Sequence, residues 1–281
     1  MNQAINQRLY KDKIVKGLVI FFACLCIIPL ISILFYIAKQ GISSINWDFI
    51  VNIPKPVGEK GGGIANALVG SLIIVGIATA MAVPFGVLGG IYLHESNGTR
   101  LATWSRFFTD ILMGIPSIVI GIIAYFWVVM TFGGFSAFSG SIALAIMMLP
   151  IIVKSTEETL KLLPKQLKES CLALGVPYHK TIIGLIIPSA LSGIVSGILL
   201  AVARVAGETA PLLFTAFGNH YLSTSPSEPM QSLPLLIFNY ATSPYEDWHN
   251  LAWGASFILV VWILLMNFTT KIIIKKWRIT Y

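Results

Sequence analysis

Arg204 and Glu208 interrupt an uncharged stretch that resumes at Leu212-Leu213-Phe214, and their types define the first chemistry to consider. An arginine at the centre of a membrane span costs about 2.5–3.5 kcal/mol on insertion scales and is kept where it faces a partner charge or a water-filled path. Spaced i, i+4, the two side chains can meet on one helix face, although Arg before Glu is the weaker order for such a pair. Two readings follow. Either the residues form a buried ion pair that fixes their helix against a neighbour, or they line an anion path. In the second, the forked guanidinium binds an oxyanion, and the nearby carboxylate keeps binding weak enough for release. The order of the spans places both charges in the outer half of the bilayer.

A second constellation runs Glu169-Ser170-Cys171-Leu172-Ala173-Leu174-Gly175 and then Leu185-Ile186-Ile187-Pro188. Leu160, Leu163, Leu167, Cys171 and Leu174 recur at helical spacing, which predicts an apolar stripe on an otherwise Lys- and Glu-rich helix. Gly175 suits a helix C-terminus and Pro177 the first turn of the next helix. The expectation is a helix, a sharp turn and a second short helix, projecting from the membrane. A plain connector could be far shorter, and an exposed apolar stripe asks for a partner, as when a helix docks in a groove.

Other chemistries find little support. His94, His179, His220 and His249 are scattered, and Cys24, Cys26 and Cys171 lack the spacing of a tetrahedral metal site or a disulfide framework. No metal site and no catalytic residue is expected; His94 and Glu95 lie at a span boundary without a nucleophile beside them. Gly58-Glu59-Lys60-Gly61-Gly62-Gly63 is glycine-rich but lacks the GxxxxGK[ST] order of a nucleotide loop.

The elements that must position these residues are transmembrane helices. Of 281 residues, 56% are hydrophobic and 11% charged, against roughly 25% charged in a soluble domain. Six uncharged stretches reach or approach the roughly 20 residues needed to cross a bilayer: Gly17–Ala38, Ile64–Leu93, Ile111–Phe132, Phe135–Val153, Ile182–Ala203 and Leu251–Thr270. The first is long enough, and free enough of a cleavage signature, to be a retained helix rather than a signal peptide. The second exceeds one span and is expected to tilt, to kink near Pro84, or to extend beyond the lipid. Gly133-Gly134 makes a tight outer turn. Residues 39–63 have a loop composition, and Ser232–Ala241, with Pro234 near its start, is a candidate short outer helix.

Fifteen of the nineteen Lys and Arg residues fall on the side that holds both termini, so both termini are expected to be cytoplasmic. The net charge of +7 is therefore an orientation signal, and no nucleic-acid partner is expected. No internal repeat of the secondary-transporter kind stands out.

The Glu169–Pro188 segment resembles the EAA loop of importer permeases in the ATP-binding-cassette superfamily. Glu169, Gly175, Leu185, Ile187 and Pro188 fall at matching positions, with Ser170 and Cys171 in place of small alanines. Arg204-Val-Ala-Gly-Glu-Thr-Ala-Pro211 and the outer run Pro54 to Ser71 are similar to the phosphate importer permeases of the A type. The resemblance implies an all-α membrane protein of about six transmembrane helices with the type I ABC importer (MetI-like) permease core. It implies a substrate path through Arg204, Glu208 and Thr209, and ATPase coupling through Glu169, Ser170, Cys171, Gly175 and Pro188. Its implied partners are two copies of an ATPase subunit carrying ATP and Mg2+, a second, C-type permease, an extracytoplasmic phosphate-binding protein, and lipid; the chain itself needs no cofactor. On the same basis residues 1–63 comprise tail, first helix and outer loop, residues 64–271 the permease core with its coupling loop at 154–188, and residues 272–281 a basic cytoplasmic tail. Phosphate as the substrate rests on the resemblance; the residues alone support an anion. Another oxyanion such as sulfate or molybdate stays open, and a secondary transporter is the reading from another mechanistic class.

Overall fold

A computed structural model describes residues 2–56, 59 and 61–276, without the side chains of residues 2–9, 11 and 274–276. Gly58 and Lys60 of the glycine-rich run, and Arg278 of the basic tail, lie outside the described residues, as do the side chains of Arg8, Lys11, Lys275 and Lys276. Helices dominate: α1 (Asn2–Ile42), α2 (Trp47–Val51), α3 (Ala65–Glu95), α4 (Arg100–Gly114), α5 (Ser117–Ala124), a π-helical turn Tyr125–Val129, α6 (Met130–Phe132), α7 (Ala137–Lys161), α8 (Lys165–Ala173), α9 (Tyr178–Thr181), a second π turn Ile182–Ile186, α10 (Ile187–Val205), α11 (Ala210–Leu213), α12 (Leu233–Ala241) and α13 (Glu246–Lys276). Backbone groups facing lipid have no water to bond, so a spanning chain satisfies them within helices.

Among the described residues, five helices are long and apolar enough to cross a membrane, and a bent pair supplies a sixth span. That pair corrects the expected Ile111–Phe132 span. Pro116 drives Ile115 into extended backbone (φ −71°, ψ 131°), and the chain turns by 104° between Arg100–Gly114 and Ser117–Phe132. Ile111 belongs to the helix before the bend, and a new helix starts at Ser117. The short outer helix appears as α12, capped by Ser232. The 39–63 segment is less irregular than its composition suggests, because α1 runs on to Ile42 and α2 buries Phe49.

The centre of the bundle is the contact between α3 and α7. These helices run parallel: Ser141 Oγ donates to the Ile74 carbonyl at 3.0 Å, and further along Gly86 and Gly90 meet Ile152 and Thr156. Gly86 and Gly90 are one turn apart, the small-xxx-small spacing that lets helix backbones approach closely. Ile74, Ala78, Ala82, Leu144, Met148 and Ile152 are buried along this seam. By contrast α1 is exposed at every residue from Asp12 to Tyr36. It meets the rest near its outer end, where Tyr36 packs edge-on to Trp253 of α13 at 5.1 Å.

A Cβ placed on Gly90 would lie 2.5 Å from Thr156 Cβ and 2.7 Å from the Val153 carbonyl oxygen, whereas one on Gly76 of the same helix would meet nothing within 4 Å. Gly90→Ala is expected to destabilise the detergent-solubilised protein by about 1–3 kcal/mol, the usual cost of overpacking, and to lower its thermal midpoint. Gly76→Ala is the control and should leave the midpoint in place or raise it slightly.

Candidate functional site

Two regions gather the polar residues singled out from the sequence. The first is a break in the middle of the bundle. α10 is antiparallel to α7, with Gly193 against Thr159 and Gly197 against Ser155. Extending that register sets Arg204 opposite Met148, at the midpoint of α7. The chain ends α10 at Val205, Gly207 lies 3.8 Å (from an added Cβ) from Ile263 in the middle of α13, and α11 resumes under Pro211. Arg204 therefore sits level with the middle of α7, beside the break that ends α10.

The Arg204–Glu208 pair that i, i+4 spacing allows is not formed. α10 stops between the two residues, and the Gly207 and Glu208 amides close short turns onto the Arg204 and Val205 carbonyls. Neither Arg204 nor Glu208 has an ion-pair or side-chain hydrogen-bond partner among the described residues. Arg204 is exposed on this subunit and lines a narrow crevice with Met113, Ile115, Ile120, Met147 and Ile151, while Glu208 and Thr209 are half-buried. An ion pair within α10 is thereby removed as the reason for this arginine.

The second region is the cytoplasmic elbow. α8 ends in a Schellman turn: the Val176 amide donates to the Cys171 carbonyl at 3.1 Å, and the Gly175 amide to the Leu172 carbonyl at 3.0 Å. Gly175 takes φ +78°, a left-handed conformation that costs side-chain-bearing residues about 1–2 kcal/mol. Glu169, Ser170 and Gly175 are exposed and Cys171 is a half-buried free thiol.

Two expectations for this region are corrected. The apolar stripe is split: Leu160 belongs to α7 and is 1% exposed in a cluster with Ile182, Ile186, Ala190 and Ile194. Pro164 then starts a new helix, on which Leu167 and Cys171 are half-buried, and Leu174 beyond it is 82% exposed. The second helix is also not short, because Tyr178–Val205 continues as one span. Pro188 sits inside it, exposed, immediately after the π turn Ile182–Ile186. A proline inside a helix removes a donor and crowds the carbonyl four residues back, and the wider turn accommodates both effects.

Two charged clusters behind the elbow were not anticipated. Fully buried Glu157 accepts from Arg106 Nε at 2.7 Å and lies 3.0 Å from Lys161 Nζ; Arg106 Nη2 also donates to the Leu93 carbonyl at 2.7 Å. Arg106 thus ties α4 to both α3 and α7. The i, i+4 spacing of Glu157 and Lys161 is the available signal, whereas Arg106 and Lys161 enter the sequence reading only through the Lys and Arg count. The other cluster centres on Glu95, whose carboxylate accepts from Lys168 of α8 and Tyr178 of α9, with His94 Nδ1 3.0 Å away. Burial disfavours the Lys168 charge, but the hydrogen bond and charge of Glu95 outweigh it and hold the ammonium above the ordinary lysine value. Among the described residues no three His, Cys, Asp or Glu side chains converge as metal ligands.

Comparison with known proteins matches this arrangement at the levels of sequence and fold. The family described as "Binding-protein-dependent transport system inner membrane component" matches residues 82–279. The phosphate transport system permease protein PstA of Yersinia pestis is 42% identical over 248 residues, which cover 88% of this chain and 84% of that protein. PstA of Haemophilus influenzae is 40% identical over 262 residues, 93% of each chain. A chain of the MetNI methionine ABC transporter, solved in an inward-facing conformation, superposes with a TM-score of 0.66 at 17% identity, covering 76% of this chain and 95% of that one; at that identity it is the fold that is shared. With such coverage of full-length relatives, this chain belongs to the PstA family of phosphate transport system permeases, within the binding-protein-dependent inner membrane components.

Proposed function

We infer that this chain is the multi-pass inner-membrane permease subunit of an ATP-driven phosphate importer, with hydrolysis carried out by a separate ATPase subunit and delivery by a binding protein. The observation that carries the mechanistic part is Arg204: a guanidinium level with the middle of α7, at a helix break, with no ion-pair or side-chain hydrogen-bond partner among the described residues. Such a charge at bilayer depth is costly unless it meets water, an anion or a neighbouring subunit. Discontinuous helices near the midplane are also where transporters commonly build their substrate contacts. Forked donors match the oxygens of phosphate. Arg204 contacts the passing anion, while Glu208 and Thr209, half-buried beside it, limit the dwell time.

The second permease, of the C type, completes the path across the exposed face of Arg204. Two ATPase copies serve the two permeases, and the phosphate-binding protein meets the outer segments around α2 and α12. Glu169, Ser170, Cys171 and Gly175 form the surface that seats in the ATPase, and Pro188 sets the geometry of the helix leaving it. Support for this docking is physical: α8 has no buried side chain, and Leu172 and Leu174 are exposed beside the elbow. Residues 1–63, 64–271 and 272–281 then serve as peripheral anchor, permease core with the 154–188 coupling loop, and basic tail.

In proteoliposomes holding the complete complex, Arg204→Gln should cut phosphate uptake by about ten- to hundredfold, the equivalent of a lost charge-assisted hydrogen bond of about 1.5–3 kcal/mol. Membrane insertion should be unaffected. Arg204→Lys should keep part of the activity, and unlabelled phosphate should compete with labelled phosphate far better than sulfate or molybdate does. Uptake by the Gln variant at the normal rate would take Arg204 out of the path.

Gly175 offers a separate test. An added Cβ there would meet nothing within 4 Å in this chain, so a substitution acts through backbone strain or through the docked partner. Gly175→Asn, which tolerates the left-handed region, should preserve the elbow, and Gly175→Val should not. Loss of ATPase co-purification or coupling with Val is the expected result; normal assembly and transport with Val would contradict docking at this elbow.

A further inference from the structure

Glu95 ends α3, yet its contacts belong to the elbow. Its carboxylate accepts from Lys168, in the middle of α8, and from the Tyr178 hydroxyl, at the start of α9. Lys168 Nζ also lies 4.9 Å over the centre of the Tyr178 ring, so the three side chains close on one another. One carboxylate thereby joins the helices on both sides of Gly175 to a third helix that is remote in sequence.

Little else joins α8 to α3. α8 buries no side chain, and a cavity of about 350 Å³ opens between α8 and the end of α3, lined among others by Asn97, Leu160, Lys165, Leu172 and Ile186. Among the described residues no buried side chain of α8 packs across that gap, and the polar cluster bridges it. Glu95 is 11% exposed and Lys168 30% exposed at the side chain, so this pair is better shielded than the solvated surface pairs that contribute little. On its far side α3 is locked to α7 through Gly86 and Gly90, and the middle of α7 faces Arg204. A push on α8 therefore has a short mechanical route to the helix break.

We propose that Glu95 is a positioning residue that couples the Gly175 elbow to α3, so that displacement of α8 by the ATPase is delivered to the α3–α7 pair. The proposal rests on the reading that the elbow docks the ATPase. Without the carboxylate, α8 can rock into the cavity beneath it, and hydrolysis proceeds with less movement of α3.

The test uses the complete complex in proteoliposomes and reads phosphate transported per ATP hydrolysed. Glu95→Gln is expected to retain ATPase co-purification and to lower that ratio by about fivefold or more, the scale of a modest coupling free energy. The exchange Glu95→Lys with Lys168→Glu, which restores opposite charges across the gap, is expected to recover most of the ratio. An assembled Glu95→Gln complex with the wild-type ratio overturns the proposal, as does an assembled exchange variant that recovers nothing. If Glu95→Gln does not accumulate, Tyr178→Phe decides: it removes one hydrogen bond and keeps the ion pair, and an unchanged ratio there overturns the proposal. Failure of docking itself is distinguishable, because the wild-type chain would then not retain the ATPase.

Discussion

An arginine whose charge lies half-way along a helical bundle, with no carboxylate partner among the described residues, constrains everything around it. The backbone must break there, since α10 ends one residue later and the chain reforms a helix only under Pro211. A break in hydrocarbon leaves carbonyls and amides without their helical partners, so the surrounding helices must either supply contacts or line a wet path. The crevice beside Arg204 is narrow and walled by Met113, Ile115, Ile120, Met147 and Ile151.

The helices around this point differ in how firmly they are held. α3 and α7 meet at glycine, with buried side chains along the whole seam, and close packing of that kind transmits displacement rather than absorbing it. The elbow is the opposite case, a short polar helix over a cavity and fixed by side-chain charges. Between the two lies buried Glu157, held by half-buried Arg106 and exposed Lys161, and Arg106 ties α4 to the same pair of helices. Rigid elements at the centre and adjustable ones at the cytoplasmic face suit a subunit that receives work at one end and changes access at its middle. Breaking a buried charge pair by removing one partner is costly, so these clusters hold defined positions rather than loose ones.

Much of the architecture was legible from residues alone. Apolar run lengths located five spans, because lipid fixes a helix's length from the thickness it must cross, and missed the break inside the Ile111–Phe132 stretch. The Gly133 turn, the cap at Ser232 and the Schellman turn at Gly175 follow from local backbone preferences that need no tertiary information. Pro116 was also visible, but a 104° turn could not be distinguished from a mild kink by composition. The outcome depends on whether neighbouring helices can satisfy the freed backbone groups.

What the sequence by itself determined was the solvent, the orientation and the location of the odd residues: lipid from composition, sidedness from Lys and Arg, an intramembrane arginine and a glycine elbow from spacing. Tertiary structure alone decided what those residues touch. Spacing of i, i+4 allowed an Arg204–Glu208 pair, and the helix ended between them; Leu160 seemed to share a stripe with Leu174, and one is buried while the other is exposed. Glu95, Lys168 and Tyr178 lie 73 and 83 positions apart along the chain, a separation over which local preferences carry no information. A charge finds its partner through the packing of whole helices, and that packing is set by glycines and apolar side chains elsewhere in the molecule.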